Sequence, residues 1–136
     1  MRVRDRMTRD VLTLEATQTL REAIDLQHRH KIRHIPVLTG GSLAGIVTDR
    51  DLKRATPSLL SGVDQDEFDA LLDNTSVDQV MTRNPYTISR DAPLEEAART
   101  MIGHRVGALP VVEGKQLLGI IANVDLLEVL CELLGE

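Results

Sequence analysis

The chain carries one stretch of sequence twice, 74 residues apart, and this repeat limits the folds available to it. GIVTDRDL at 45–52 corresponds to GIIANVDL at 119–126, and MTRDVLTL at 7–14 corresponds to MTRNPYTI at 81–88. Residues 7–55 align with their copy without a gap, and 16 of these 49 positions are identical. A register of this length indicates a tandem duplication. One copy has too little core to be stable alone, so we expect two copies to pack together.

Each copy is expected to form a strand, a helix, two strands and a second helix. In the first copy a strand is predicted at 11–14, and the residues at 19–22 have the form of a capping box that starts a helix. Apolar runs at 35–38 and 43–47 flank two glycines, which permit the backbone angles of a hairpin turn. A second helix is predicted to begin after Thr48. The sequence therefore predicts an α/β (α+β) fold of two β-α-β-β-α repeats.

The second copy has different helix-start residues. Asp91 is expected to cap its first helix, and Pro93 suits the first turn. Ala122 has no side-chain acceptor, so Asn123 is expected to cap the last helix.

The repeat also predicts the domain boundaries. The first repeat is assigned to residues 1–56, an acidic linker to 57–76 and the second repeat to 77–136. Between Arg54 and Arg83 the chain has six acidic residues and no Lys or Arg. Apolar residues of DQDEFDALLD at 64–73 have helical spacing, so the linker is expected to contain a short helix that straps the repeats.

Composition excludes several classes of protein. The net charge is −5, and removing the six acids between Arg54 and Arg83 leaves only about +1, far from the basic surplus of a nucleic-acid-binding protein. No apolar run approaches the roughly 20 residues of a membrane span, and the N-terminus lacks the apolar region of a signal peptide. The single cysteine, Cys131, cannot form a disulfide within the chain, which favours a cytoplasmic location.

Three motifs occur in both copies in the same order: M-T-x-x-h-x-T, h-x-P-V and G-h-h-T-x-x-D, where h is apolar. In this set of motifs the chain resembles tandem CBS domains, the Bateman module, over nearly its whole length. It further resembles stand-alone CBS proteins of the acetoin-utilisation type, without their ACT domain. The resemblance implies a pseudo-two-fold disc with two clefts between the repeats, in which adenine nucleotides bind.

In that family the Thr and Asp of G-h-h-T-x-x-D bind ribose, and they correspond to Thr48 and Asp51. A carboxylate can accept hydrogen bonds from both ribose hydroxyls, and a Thr hydroxyl one turn earlier can donate or accept beside it. The same spacing is also that of a capping box, so helix capping is the competing interpretation. In the second copy the Asp is kept as Asp125, but Ala122 replaces the Thr. The two clefts are therefore expected to differ.

The resemblance also implies phosphate contacts. They correspond to Arg33 and His34, which precede the Pro of h-x-P-V, and to Arg50 within TDRD, a contact that the family usually makes across to the cleft of the other copy. The second copy has Gly107, Ala108 and Val124 at these positions. The cations therefore come from the first repeat, and the sequence leaves open which cleft binds better.

Adenine contacts implied by the resemblance fall on strand residues. In the first copy these positions are Thr13, Ile35 and Pro36, and in the second copy they are Thr87, Leu109 and Pro110. The alternative for these residues is ordinary strand core.

The sequence shows no catalytic motif and no metal-ligand spacing, so neither an enzyme nor a metal site is predicted. We predict a regulatory module that requires no cofactor, binds an adenosine-type small molecule such as AMP, ADP or ATP, and signals to an unidentified effector protein. The apolar C-terminal segment predicts a homodimer. The alternative is a constitutive dimeric scaffold with vestigial clefts.

Overall fold

The computed structural model describes residues 1–57 and 62–135. Residues 58–61 of the predicted linker and Glu136, the last residue of the predicted second repeat, lie outside the described residues. In the described ranges, no helix combines the length and the apolar composition that crossing a membrane requires.

Contacts divide the chain into two compact units. The first unit is Leu12–Asn84, and the second unit combines Met1–Val11 with Pro85–Glu136. The amino-terminal segment thus packs with the second copy of the repeat, although it precedes the first copy in sequence.

The first unit contains the first copy and the helix that follows it. Its elements are β1 (Leu14–Glu15), α1 (Leu20–His30), β2 (His34–Thr39), β3 (Ser42–Thr48), α2 (Asp49–Ala55), α3 (Gln65–Asn74) and β4 (Thr82–Arg83). β1 is parallel to β2, while β2 and β4 are both antiparallel to β3. Helices and strands mix as the repeat predicts, which confirms the α+β class.

The second unit repeats this order. Its elements are a 3-10 turn (Val3–Asp5), α4 (Leu94–His104), β5 (Ala108–Glu113), β6 (Gln116–Ala122) and α5 (Asn123–Leu134). β5 and β6 are antiparallel, and Ile88 forms a parallel bridge to Val111 where the first unit has β1.

The two units agree in backbone detail as well as in element order. The long antiparallel pair shifts register after Val37 in the first unit and after Val111, 74 residues later, in the second. The C-cap residues that follow α1 and α4, Lys31 and Arg105, are both in the left-handed conformation. The structure therefore supports the duplication at the level of single residues.

Each unit buries its own aliphatic core. Helix α1 contributes Leu20 and Ala23, which are fully buried against the strands and against Val77. In the second unit α4 contributes Leu94 and Ala97, which pack with the buried strand residues of β5 and β6 and with Val129 of α5. Burying such apolar side chains is the main source of folding free energy.

The repeated Met-Thr segments pair with β3 in the first unit and with β6 in the second unit. Thr82 in β4 lies opposite Ile46, and Thr8 exchanges two backbone hydrogen bonds of 2.8 and 3.0 Å with Ile120. This pairing requires a glycine beside it, because a Cβ at Gly45 would lie 2.7 Å from the Thr82 carbonyl oxygen and one at Gly119 only 2.4 Å from that of Thr8. The close approach of the two backbones thus explains why the first position of G-h-h-T-x-x-D is a glycine.

Three local expectations are corrected. The first strand begins at Leu14 and not at residue 11, because the chain before it turns at Asp10 before reaching β2. Helix α4 has Pro93 at its N-cap, since Asp91 forms an ion pair of 2.9 Å with Arg4 instead. Helix α5 has Ala122 at its N-cap without a side-chain bond, because Asn123 is already its first helical residue.

Candidate functional site

Three chain segments meet at one end of the sheet in the first unit. Because β1 is parallel to β2 and β3 is antiparallel to it, the starts of β1 and β2 lie at the same edge as the end of β3. Thr13 immediately precedes β1, and His34 pairs directly with Thr48. The fold therefore brings together predicted site residues that are up to 35 positions apart in sequence.

Thr48 and Asp51 form a capping box at the start of α2. The Thr48 hydroxyl accepts the Asp51 N–H at 3.1 Å, and Asp51 Oδ2 accepts the Thr48 N–H at 3.0 Å. The next amide, of Asp49, donates to the Arg33 carbonyl oxygen at 3.0 Å and fastens the helix start to β2. The capping interpretation is thus confirmed, and it leaves Asp51 Oδ1 without a hydrogen-bond partner among the described residues.

Two of the predicted phosphate contacts are exposed arginines. The side chains of Arg33 and Arg50 lie on the surface, and neither guanidinium forms an ion pair with a residue that the structure describes. Both are therefore available to an anionic ligand. Guanidinium groups suit phosphate because they can donate two parallel hydrogen bonds.

His34 is the partly buried member of this site. Burial lowers the pKa of its imidazole, and the nearby charge of Arg33 lowers it further, while the carboxylates of Asp49 and Asp51 oppose the shift. Burial dominates because desolvation disfavours the charged form. His34 is therefore held neutral over a wider pH range than an exposed histidine.

We predict that His34 makes the protein less stable in mild acid. Its pKa is lower in the folded chain than in the unfolded chain, where it is about 6.5, so the unfolded chain binds the proton more readily. The free energy of unfolding should therefore fall as the pH decreases below about 6.5. His34→Ala, which introduces the residue of the second repeat, should remove part of this slope in urea titrations at several pH values.

His28→Ala is the control for this measurement, since His28 is exposed on α1. A His34→Ala variant that keeps the full wild-type slope, or a His28→Ala variant that loses as much of it, would contradict the assignment.

The second unit has the same backbone arrangement with fewer polar groups. Ala108 pairs with Ala122, and the Asn123 amide donates to the Gly107 carbonyl oxygen at 2.9 Å. Asp125 Oδ2 accepts the Ala122 N–H at 2.8 Å. Of the two hydrogen bonds of a capping box, only the one from the Ala122 N–H to Asp125 remains, because alanine has no hydroxyl to accept the other.

Thr87 occupies the place of Thr13. It immediately precedes Ile88, whose amide donates to the Pro110 carbonyl oxygen at 3.1 Å. Tyr86, the residue before it, stacks on His104 with ring centroids 3.7 Å apart. This aromatic pair has no counterpart at the equivalent Leu12.

The predicted adenine contacts on the long strands have buried side chains. Ile35, Pro36, Leu109 and Pro110 are all less than 2% exposed. Their side chains belong to the core, so only their backbone groups remain for a ligand. The core interpretation of these side chains is therefore supported, and a ligand role would be limited to backbone contacts.

Sequence reasoning missed Thr82. Its hydroxyl donates to Asp51 Oδ2 at 3.3 Å from the strand β4. The signal was present, because Met-Thr is repeated identically at 7–8 and 81–82. That repetition indicated a fixed backbone position for both threonines, but not the hydroxyl bond to the acid, which in the described ranges Thr82 makes and Thr8 does not.

The histidines at 28, 30 and 34 lie on two different elements. α1 ends at His30, while His34 opens β2. In the described ranges, no three His, Cys, Asp or Glu side chains are arranged to hold a metal ion.

Two similar units, each with a Gly-dependent Met-Thr pairing and an acid in the first turn of the following helix, define a pair of CBS domains. The chain belongs to the CBS domain family, which matches residues 3–58 and 77–132. Proteins of this class are generally regulatory and not catalytic.

Relatives cover almost the whole chain. A CBS domain-containing protein of Dictyostelium discoideum is 36% identical over 97% of this chain and 92% of the relative. A Vibrio cholerae crystal structure assigned to the acetoin utilization protein AcuB is 34% identical, with a TM-score of 0.79, and the match covers 98% of this chain and 93% of that one. The resemblance to stand-alone, AcuB-type CBS proteins is thereby confirmed.

A third similar structure contains ligands. The CBS domain pair of protein MJ0100, solved with 5′-methylthioadenosine and S-adenosyl-L-methionine, is 25% identical, with a TM-score of 0.80. The match covers 97% of each chain.

Proposed function

We propose that this protein is a regulatory module that binds an adenosine-containing nucleotide, such as AMP, ADP or ATP, and signals to a partner protein. The observation that carries the proposal is the sheet end of the first unit. There Asp51 is held through Oδ2, and its Oδ1 has no hydrogen-bond partner among the described residues. Arg33, just before β2, and Arg50, in the first turn of α2, form no ion pair within the described ranges.

The chemistry of this sheet end suits a nucleotide. A fixed carboxylate accepts charge-assisted hydrogen bonds from the hydroxyls of ribose, and two arginines can neutralise phosphate. A neutral histidine can donate one ring N–H to a phosphate oxygen. The adenosine derivatives bound to the CBS pair of MJ0100 support this ligand class. The second unit keeps Asp125 but has no Thr hydroxyl at Ala122, so we expect the two units to bind with different affinities.

Signalling would follow from binding by population shift. A ligand changes the balance between two conformations only by the difference in its affinity for them. The effector that responds to this change is a second protein. We place the module and its effector in the cytoplasm, in keeping with a chain whose single cysteine is unpaired.

A thermal-unfolding panel tests the proposal. Saturating ligand should stabilise a binder by about 2.7 kcal/mol at a hundredfold excess over its Kd, which corresponds to roughly 10 °C. We expect AMP, ATP or S-adenosyl-L-methionine to raise the midpoint, with guanosine monophosphate as the matched control. A folded protein whose midpoint is unchanged by all of them at millimolar concentration would contradict the proposal.

That negative outcome would favour a constitutive dimeric scaffold with vestigial sites. The second unit favours this alternative, because Gly107, Ala108 and Val124 replace the polar residues of the first unit. The first unit keeps polar residues at these positions, Arg33 and Arg50 together with Asp51, and these argue for binding.

We further propose that the protein is a homodimer that associates through α5. Five large apolar side chains of this helix are about half exposed or more: Val124, Leu127, Leu130, Leu133 and Leu134. Leu130 and Leu133 also line an apolar groove of about 440 Å³ with Met1 and Ala98. Monomers rarely expose contiguous apolar patches larger than a few hundred Å², so this face is suited to a partner.

The duplication supplies an internal comparison for this face. Arg50, Lys53 and Thr56 in the first unit stand where α5 has Val124, Leu127 and Leu130. The repeat therefore folds with polar residues at these positions, and the leucines of α5 are not needed for the fold of a single unit. A second copy of the chain is the partner we propose.

Exchanging these residues should separate the dimer. Leu127→Lys with Leu130→Thr introduces the side chains of the first repeat, and we expect the measured mass in light scattering to fall from two chains to one. Leu12→Thr is the control, since Leu12 is exposed in the first unit. A wild type that is monomeric at high concentration, or a double variant that stays dimeric, would contradict the proposed interface.

A further inference from the structure

Two donors from separate chain segments hold the same oxygen of Asp51. Oδ2 accepts the Thr48 N–H at 3.0 Å and the Thr82 hydroxyl at 3.3 Å. The first donor belongs to the capping box of α2. The second comes from β4, 31 residues further along the chain, and has no function in helix capping.

Gly45 allows Thr82 to reach this position. β4 pairs with β3 so that Arg83 lies opposite Gly45 and Thr82 opposite Ile46. A Cβ at Gly45 would lie 2.7 Å from the Thr82 carbonyl oxygen, so any larger residue would push β4 away. The close approach of the two backbones places the hydroxyl within hydrogen-bond distance of the carboxylate.

The second unit shows that this bond does not follow from the backbone alone. Thr8 is the repeat counterpart of Thr82, and its backbone pairs with Ile120 in the same way. Among the residues that the structure describes, however, its hydroxyl forms no hydrogen bond with Asp125, whose Oδ2 accepts the Ala122 N–H. The same fold therefore holds Asp51 by one backbone donor and one side-chain donor, whereas Asp125 is held by a backbone donor alone.

We propose that Thr82 is a positioning residue for Asp51 in the ligand site of the first unit. The inference rests on the proposed function and extends it. Fixing Oδ2 in the free protein leaves Oδ1 ready to accept ribose hydroxyls without rearrangement of the side chain, and such preorganisation increases affinity. The first unit is then the tighter of the two sites.

A double-mutant cycle without ligand tests the contact itself. Thr82→Val and Asp51→Ala should be non-additive in the free energy of unfolding, because each removes the same hydrogen bond. Thr8→Val and Asp125→Ala, the matched pair in the second unit, should be additive. Additive energies for Thr82 and Asp51 would overturn the proposal.

Calorimetric titration with AMP tests the consequence for binding. Thr82→Val should weaken binding roughly fivefold to tenfold, the size of effect expected when one ordinary hydrogen bond that positions the carboxylate is lost. Thr82→Ser should restore wild-type affinity, and Thr8→Val should leave the tighter site unchanged. Wild-type affinity in Thr82→Val, or failure of Ser to restore it, would overturn the proposal.

The two tests separate this inference from the proposed function. If the wild type binds no adenine nucleotide, the proposed function fails, and the ligand-free cycle alone decides whether Thr82 holds Asp51.

Discussion

Replacing Gly119 with alanine is expected to lower the thermal unfolding midpoint by roughly 10 °C. The added Cβ would lie 2.4 Å from the Thr8 carbonyl oxygen, a backbone atom that a side-chain rotation cannot move. Relieving the clash requires separating Thr8 from Ile120 and weakening the two hydrogen bonds between them. Overpacking of this kind costs about 3 kcal/mol, a large part of the stability of a small protein.

Two other glycines make this prediction specific. Gly45→Ala should be less damaging, because its contacts are longer, at 2.7 Å, and one of them is to the flexible side chain of Met81. Gly103→Ala should be neutral or stabilising, because it lies in α4 with no atom within 4 Å of the added Cβ. Circular dichroism melts of the three variants measure the order. Equal midpoints for Gly119→Ala and Gly103→Ala would contradict the account of the Met-Thr pairing.

Asp51→Asn is expected to weaken AMP binding more than a hundredfold. The amide keeps the size of the side chain but removes the negative charge and replaces one acceptor oxygen with a donor. Two charge-assisted hydrogen bonds to ribose would each lose about 1.5 kcal/mol, and every 1.4 kcal/mol is tenfold in affinity. Isothermal titration calorimetry at a fixed salt concentration measures the change.

Glu22→Gln separates ligand binding from helix capping. Glu22 has the same place in the capping box of α1, where Thr19 donates its N–H to the carboxylate at 3.3 Å. Both variants keep an amide oxygen that can accept the N-cap N–H but lose a charge at a helix N-terminus, so both should lose about 0.5 kcal/mol of stability, and only Asp51→Asn should lose affinity. An equal loss of affinity in the two variants would mean that capping, and not ligand contact, explains Asp51.

Asp125→Asn extends the comparison to the second unit. Loss of part of the binding stoichiometry in this variant would assign a second site to that unit. Unchanged binding would restrict the proposed nucleotide to the first unit.

The local pattern was enough to predict the elements of both units. The capping box at Thr19 and Glu22 starts α1 as expected, and the glycines at 40 and 41 form the turn between β2 and β3. The pairing of β4 with β3 was not predictable in this way. A two-residue strand has no periodicity, and its paired residues are 36 and 38 positions away. Only the repetition of the Met-Thr pair, together with the repeated glycine, indicated that this segment has a fixed position in the fold.

The candidate site was predictable to the extent that topology determines it. His34 and Thr48 pair because the ends of a β-hairpin must meet, so the sequence could place them together. Thr82 could not be added, since its bond to Asp51 depends on how closely two backbones approach. The prediction that Asn123 caps α5 was wrong for a related reason. The helix starts from the backbone of Ala122, and no side chain caps it.

The most direct test of the central claim is an amide chemical-shift titration of the ¹⁵N-labelled protein with AMP. The account predicts that the largest changes occur at the sheet end of the first unit, in the amides of Thr48, Asp49 and Asp51 and in those of Ile35 and Thr82. Saturable changes confined to other residues, or no changes at millimolar AMP, would contradict it.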